Sequence, residues 1–238
     1  MYKRTEISAK RRGDGSTTGY TRRTIPRATA IRAVLQKASS GGHSYDVVAL
    51  DLSSLGSVRR AAADISRRVT DGSTPPIRAL VLNVAFQEFT THFHGRGRLR
   101  HNVHSNYVSH FLLAPLLLPR SIDKERGRIL ILGRWSHKLG GPLPLPSYTS
   151  SASLDGPMDP ERLARGRWSS AEEHHGDPDA GYRRCGTSKL SEVMMMRELS
   201  RRTAQDATLS SVVVLGLDPA SMASNLGMRA NLAHEGDP

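Results

Sequence analysis

Short apolar segments alternate with longer segments of helical periodicity along most of this chain, and this alternation restricts the available folds more than any other feature. Val47–Leu50 and Ile129–Leu132 are uninterrupted apolar runs, and Ile77–Leu82 and Leu209–Leu215 are also predominantly apolar. Runs without apolar–polar alternation are typical of strands that are buried on both faces of a parallel sheet. We therefore predict four buried strands at these positions.

Segments with helical spacing fill the intervals between these strands. Ser53 or Ser54 stands where the N-cap of one such helix is expected, and Pro119 stops another. Strands that alternate with helices indicate an α/β fold, a doubly wound, Rossmann-like parallel sheet in three layers with right-handed crossovers. The further elements that we predict are a short strand at 19–24 and helices at 27–38, 53–69 and 99–118.

The remaining segments lack such patterns. Residues 1–18 are polar and rich in Gly, Ser and Thr, which predicts a disordered tail. Residues 138–180 are rich in proline and glycine and too long for a plain connector, so we interpret them as an insertion near the substrate. We expect a single domain over 19–228 and a C-terminal tail at 229–238.

Composition bounds the partners and the compartment. The 238 residues include 34 Lys and Arg against 22 Asp and Glu, a formal net charge of +12, but the basic residues are scattered and aromatics are 5%. This distribution argues against nucleic-acid binding. A single Cys excludes an internal disulfide, the longest apolar run (Phe111–Leu118) is too short to span a bilayer, and the N-terminus has no secretory signal. We expect a cytoplasmic protein without a membrane span.

Gly181–Leu199, with the sequence GYRRCGTSKLSEVMMMREL, is the stretch most informative about chemistry. From Gly186 onward its apolar residues recur at helical spacing. Lys189 lies four residues after Cys185, so both belong to one face of the predicted helix.

This stretch resembles the active-site helix of the short-chain dehydrogenases/reductases, whose core is Tyr-x-x-x-Lys. Cys185 stands at the tyrosine position and Lys189 at the lysine position. The resemblance covers about residues 19–228. It is greatest to loop-inserted members similar to retinol dehydrogenases and protochlorophyllide reductases, which include reductases of secondary-metabolite pathways. It implies hydride transfer between a nicotinamide cofactor and a carbonyl or alcohol substrate, with Lys189 binding the nicotinamide ribose.

The resemblance also implies roles for residues near the strand ends. Asp51 would contact the adenine end of the cofactor, although a helix-capping role is equally compatible with its spacing. Asn83 would tie neighbouring strands together, or serve as an ordinary turn residue. Asn106 matches the asparagine whose backbone carbonyl holds a water that links the lysine to solvent. Arg134 stands where a serine would hydrogen-bond the substrate oxygen.

The cofactor predicted in this way is NADP rather than NAD. Arg23 matches an arginine that binds the 2′-phosphate, and a solvated arginine is the alternative. Ala220 and Ser224 match a turn after the last strand and a hydroxyl that meets the nicotinamide amide. Five histidines between His92 and His110 lie close in sequence, but no Asp, Glu or Cys completes a zinc site, so we predict no metal.

Two features leave a second interpretation open, namely a catalytically inactive or truncated protein of the same fold. One is the replacement of the family tyrosine and serine by Cys185 and Arg134. The other is that the first strand of the family and its glycine-rich phosphate loop have no counterpart in this sequence. We therefore expect a sheet that is incomplete at the N-terminus, with a gap at its centre. Substrate identity, homo-oligomer formation and reaction direction are left open.

Overall fold

The structure of the protein is a computed structural model that describes residues 6–11, 15–22, 44–83, 103–133 and 178–219. Residues 6–11, 15–22, 44, 45, 178–185 and 187 are described for the backbone only. The predicted helix at 27–38, the C-terminal tail and the insertion up to residue 177 lie outside these ranges, so those predictions stay predictions.

The described elements are, in chain order, β1 (Glu6–Arg11), β2 (Gly15–Arg22), β3 (Ser44–Ala49), α1 (Leu55–Thr70), β4 (Ile77–Leu82), a π-helical turn (His104–Val108) that continues as α2 (Ser109–Leu117), β5 (Arg128–Leu132), α3 (Pro178–Gln205) and β6 (Val213–Leu217).

The six strands form one sheet in the order β3-β2-β1-β4-β5-β6. β3 pairs parallel with β2, and β4, β5 and β6 are parallel to one another. β1 pairs antiparallel with both β2 and β4, which makes all strands except β1 parallel. The predicted α/β fold with a Rossmann-like parallel sheet is confirmed.

β1 occupies the centre of the sheet, where the sequence predicts a gap. A parallel first strand is not found among the described residues, but Ser8 of β1 pairs with Thr18 of β2 and with Ala79 of β4. The predicted disorder of residues 1–18 is therefore wrong for 6–11 and 15–18. The physical reason is that strand pairing satisfies backbone N–H and C=O groups irrespective of side-chain polarity. A polar hairpin can therefore form in a segment that has no apolar run to indicate a strand.

β1 is also reversed relative to a Rossmann first strand. Its first residue, Glu6, pairs with Val81 near the end of β4, whereas Ala9 pairs with Ile77 at the start of β4. The amino end of β1 therefore lies at the carboxyl edge of the parallel strands, where a parallel strand would place its carboxyl end.

The predicted helices that fall within the described ranges form, with shifted boundaries. Ser54 caps α1, and its side chain accepts a hydrogen bond from the backbone N–H of Ser57. α3 begins at Pro178, eight residues before the predicted start at Gly186. The last strand begins at Val213 rather than at Leu209, because the segment before it folds into turns.

The hydrophobic core lies between the helices and one face of β4 and β5. Leu80 and Leu82 alternate along β4, pair with Ile129 and Ile131 of β5, and are all buried. The helices pack on this face with the buried residues Val58, Ala62, Leu113, Leu117, Met195 and Leu199. Burial of this apolar surface is the main stabilising contribution to the fold.

β6 differs from β4 and β5 because one of its faces is exposed. Val213, Leu215 and Leu217 are 39%, 45% and 48% exposed. The prediction of a last strand buried on both faces is therefore wrong. Within the described ranges β6 pairs only with β5, and the helices described cover only the opposite face. None of the helices in those ranges combines the length and the apolar character needed to cross a bilayer.

Candidate functional site

The carboxyl ends of β3, β4 and β5 lie at one edge of the sheet and place three residues there. Asp51 follows β3, Asn83 follows β4 directly, and Leu132 ends β5. In open α/β sheets, ligands bind in the crevice at this edge. The predicted residues Asp51 and Asn83 are therefore at the edge where a site is expected.

Asn106 lies in the π-helical turn and is fully buried. Its side-chain Nδ2 donates a hydrogen bond of 3.1 Å to Oγ of Ser188, which is also fully buried and lies on α3. This bond joins the π-helical turn to the residue directly before Lys189. The structure thus brings Asn106 and Lys189 together, as expected for a shared site.

Lys189 is buried, and the end of its side chain reaches the carboxyl edge of the sheet. Only 3% of the residue is exposed. Its Nζ donates to the backbone carbonyl of Leu132 at 2.9 Å, and to Oε1 and Oε2 of Glu192 at 3.0 and 2.8 Å. An ammonium carries three N–H donors, so each donor has an acceptor within reach. The charge is taken up by a carboxylate one turn further along α3.

Glu192 is a central residue of the site that the sequence analysis missed. It is fully buried, and burial raises the pKa of its carboxyl to about 7 although the Lys189 charge and hydrogen bonds act to lower the pKa. A buried carboxylate is tolerated only with a partner of this kind. The signal in the sequence is the acidic residue three positions after Lys189, a spacing that places both on one side of a helix.

His110 on α2 completes this buried group. Its Nδ1 lies 3.9 Å from Oε1 of Glu192, and the imidazole is fully buried. Neither ring nitrogen reaches hydrogen-bond geometry with a partner in the described part of the chain. Burial, with a smaller effect of the Lys189 charge, lowers the pKa of His110 to about 3, and the backbone of Asn106 acts weakly in the opposite direction. His110 is therefore neutral near pH 7.

Asp51 shapes the turn that leads from β3 into α1. Its Oδ1 accepts hydrogen bonds from the backbone N–H and the hydroxyl of Ser53, at 2.9 and 2.6 Å. Its own backbone N–H donates to Oγ of Ser57 at 2.9 Å. Ser54, rather than Asp51, is the N-cap of α1. Asp51 therefore stabilises the turn before α1 without being its N-cap, and contact between Asp51 and a cofactor stays a prediction.

The other predicted site residues are less fully described. Cys185 lies on α3, one helical turn before Lys189, and is described for the backbone only. Arg23, Arg134, Ala220 and Ser224 lie outside the described residues. Among the described side chains, no group of three or more His, Cys, Asp and Glu residues is arranged to hold a metal ion.

Comparison with known proteins identifies the family. No protein-family model matches the chain. The chain is 43% identical, over 227 residues, to the short-chain dehydrogenase iccH of Talaromyces variabilis, a match that covers 88% of this chain and 62% of that protein. The chain belongs to the short-chain dehydrogenase/reductase family.

Solved structures share the fold of this short-chain dehydrogenase/reductase chain. The carbonyl reductase from chicken fatty liver, solved with NADPH, has a TM-score of 0.53 at 15% identity, over 84% of this chain and 66% of that one. The gluconate 5-dehydrogenase of Burkholderia cenocepacia, solved with NADP and tartrate, has a TM-score of 0.54 at 16% identity, over 89% and 64%. The chain spans 62% of the length of the Talaromyces variabilis protein, which is less than two thirds.

Proposed function

We propose that this chain belongs to an NADP-dependent oxidoreductase that transfers hydride between the cofactor and a small carbonyl or alcohol substrate. The observation that carries this proposal is the 43% identity to a short-chain dehydrogenase over 88% of the chain. The fold neighbours that were solved with NADPH or NADP support the choice of cofactor. We extend the proposal to a secondary-metabolite pathway on the resemblance of the active-site stretch alone.

Three of the described residues support the binding of the sugar and adenine portions of a nicotinamide cofactor. Lys189 holds a buried cation at the end of β5 that would donate to ribose hydroxyls once one of its present acceptors is displaced, and Asp51 and Asn83 follow the parallel strands β3 and β4. When bound, the cofactor would supply the hydride. Arg23 would bind its 2′-phosphate, and Ala220 and Ser224 would contact its nicotinamide end. The described residues provide no phosphate loop after a parallel central strand, because β1 runs antiparallel.

The residues of the chain would supply the proton and hold the substrate. Cys185 holds the position of the family proton donor, one helical turn before Lys189. A thiol beside a cation favours the thiolate, which has no proton to donate, and it has a shorter reach than a tyrosine, so Cys185 would be a weaker proton donor than the family residue. Arg134 would donate a hydrogen bond to that oxygen in place of the family serine. Asn106 would keep α3 in position through Ser188.

Titration of the purified chain with NADPH, followed by protein fluorescence, tests the proposal. We expect saturable binding in the micromolar range, and the Lys189→Gln variant should bind about tenfold more weakly, because it loses one hydrogen bond from a charged donor. Lys124→Gln is the matched control: Lys124 also donates to a backbone carbonyl, that of Leu118, but in the connection that precedes β5. Absence of binding to the folded wild-type chain would contradict the proposal.

A catalytically inactive protein of the same fold is the second candidate, and one observation favours it. All three N–H donors of Lys189 already have acceptors within the chain. The double variant Cys185→Tyr, Arg134→Ser separates the candidates. If the chain is an eroded enzyme, this variant should reduce a test carbonyl compound with NADPH faster than the wild type does. An unchanged rate would show that these two positions are not the family tyrosine and serine.

A further inference from the structure

Lys189 and Glu192 on α3 and His110 on α2 form a buried cluster of ionisable residues. Both carboxylate oxygens of Glu192 accept hydrogen bonds from the Lys189 ammonium, and so does the backbone carbonyl of Leu132. A hydroxyl-bearing ligand that is to bind Lys189 must therefore displace one of these acceptors. The Leu132 carbonyl is backbone at the end of β5, whereas the Glu192 carboxyl is at the end of a side chain with rotatable bonds.

His110 offers a second partner for the displaced carboxyl. Its Nδ1 lies 3.9 Å from Oε1 of Glu192 and makes no hydrogen bond within the described part of the chain. A movement of about 1 Å would bring the two atoms to hydrogen-bond distance. A neutral imidazole nitrogen donates or accepts according to its tautomer, so Nδ1 can pair with either the ionised or the protonated carboxyl. The cluster thus contains two potential hydrogen-bond partners for Glu192, of which only Lys189 is bonded to it in this structure.

We propose that Glu192 is a positioning residue with two partners: it holds Lys189 when the site is empty, and it turns to His110 when Lys189 binds a hydroxyl-bearing ligand. The ligand part of this inference rests on the proposed nucleotide function. The exchange of partners between Lys189 and His110 does not. Glu192 would then control when the family lysine is available for binding.

The ionisable groups around Glu192 support such an exchange. Lys189 faces it from α3 and His110 from α2, while β5 contributes the uncharged Leu132 carbonyl. His104, on the π-helical turn that packs against α3, is a further buried ionisable residue in the described ranges. With the pKa of Glu192 raised to about 7 and that of His110 lowered to about 3, mild acid protonates the carboxyl first. Its hold on Lys189 then weakens while His110 stays neutral.

Chemical labelling of Lys189 in the nucleotide-free protein tests the inference. The probe is a short pulse of reductive methylation with formaldehyde, and peptide mass spectrometry gives the rate at Lys189. We expect Glu192→Gln to raise this rate about tenfold over wild type, the equivalent of one hydrogen bond to a charged group. The matched control is Glu198→Gln on the same helix, since Glu198 pairs with the exposed Arg201 and Arg202 and should leave Lys189 unaffected. Equal rates in wild type and a folded Glu192→Gln variant would overturn the proposal.

A second variant decides the matter if Glu192→Gln does not fold, as judged by circular dichroism. His110→Phe keeps the Lys189–Glu192 pair and removes the alternative partner, so Lys189 should be labelled more slowly than in wild type. An unchanged or faster rate would overturn the role of His110. Because both measurements use protein without nucleotide, they are independent of the NADPH titration. If Glu192→Gln is labelled faster but the protein does not bind NADPH, the positioning role of Glu192 is retained and the proposed function is rejected.

Discussion

The burial of the His110 imidazole has an effect on stability that can be measured. The folded protein keeps its imidazole neutral, with a pKa of about 3, whereas the unfolded chain takes up a proton near the ordinary value of about 6.5. A lowered pKa in the folded state means that the stability from this group is present above pH 6.5 and is lost progressively as the pH falls from there towards 3.

We therefore predict that His110→Gln makes the protein less sensitive to acid. Between pH 7.5 and pH 5 the wild type should lose about 2 kcal/mol more of its free energy of unfolding than the variant does. Urea denaturation at the two pH values measures both losses. Glu192, whose pKa is raised, acts in the opposite direction in this range, but it is present in both proteins and largely cancels in the comparison. Equal losses would show that His110 is not neutral in the fold.

Sequence reasoning at this scale located the lysine but not the residues around it. Asn106 is hydrogen-bonded to Ser188, the residue before Lys189, and the roles that the family resemblance implies for Asn106 and Lys189 stay predictions. Glu192 and His110 were missed as site residues because ionisable residues in a helical pattern are ordinarily assigned to the exposed face of the helix. Only the structure, in which the start of α2 lies against α3, shows that these two side chains are buried and 3.9 Å apart.

Among the secondary-structure elements, β5 depends on a glycine at its entry. Gly127 is buried, and its backbone carbonyl accepts from the N–H of Val213 at 3.1 Å, which connects the start of β5 to β6. A β-carbon at this position would collide with the backbone carbonyl of Asp123 and with the side chain of Ile122. The backbone carbonyl cannot give way as a flexible side chain can.

We expect Gly127→Ala to lower the free energy of unfolding by about 1–3 kcal/mol, the usual cost of forcing an extra carbon into a packed site. Gly56→Ala is the matched control, because a β-carbon there would lie 3.4 Å from the mobile end of Arg60, inside α1. Alanine in a helix is favoured over glycine, so this variant should be as stable as wild type or more so. Denaturant titration distinguishes them, and equal stabilities would contradict the packing described for Gly127.

The elements most accurately predicted are those with an unambiguous apolar pattern. Ile77–Leu82 matches β4, and the predicted Ile129–Leu132 differs from β5 by one residue. For β6 the apolar run was real but its burial was inferred wrongly, because a run of this kind does not reveal whether other elements cover both faces of the strand. Val213, Leu215 and Leu217 lie on the face that no described helix covers, whereas Val214 packs against the core.

For the molecule as a whole, the reversed strand β1 is the feature that the sequence could not predict. Its residues are mostly polar, and the propensity for a strand is set by neighbours that are distant in sequence. β1 nevertheless pairs on both sides, with β2 and with β4, and so connects the two halves of the sheet. Loss of β1 would divide the sheet into a β2–β3 pair and a β4–β6 group.

We predict that Ser8→Pro unfolds the protein or destabilises it by about 3 kcal/mol or more, because proline removes a backbone donor from a central strand. Ser8→Thr, which keeps the N–H and suits a strand, should be close to wild type. Hydrogen exchange offers a direct check on the unmodified chain. The amides of 6–11 should be protected to the same degree as those of 77–82. Rapid exchange over 6–11, or a stable Ser8→Pro variant, would contradict the central position of β1.

The direction of β1 also has a practical consequence for anyone who produces this protein. Because Glu6 pairs beside the end of β4, the amino end of β1 lies at the rim that holds Asn83 and the tip of Lys189. An affinity tag joined directly before Glu6 would start at that rim and compete with small molecules for it. Preparations tagged at opposite termini can thus give different apparent affinities for one and the same polypeptide.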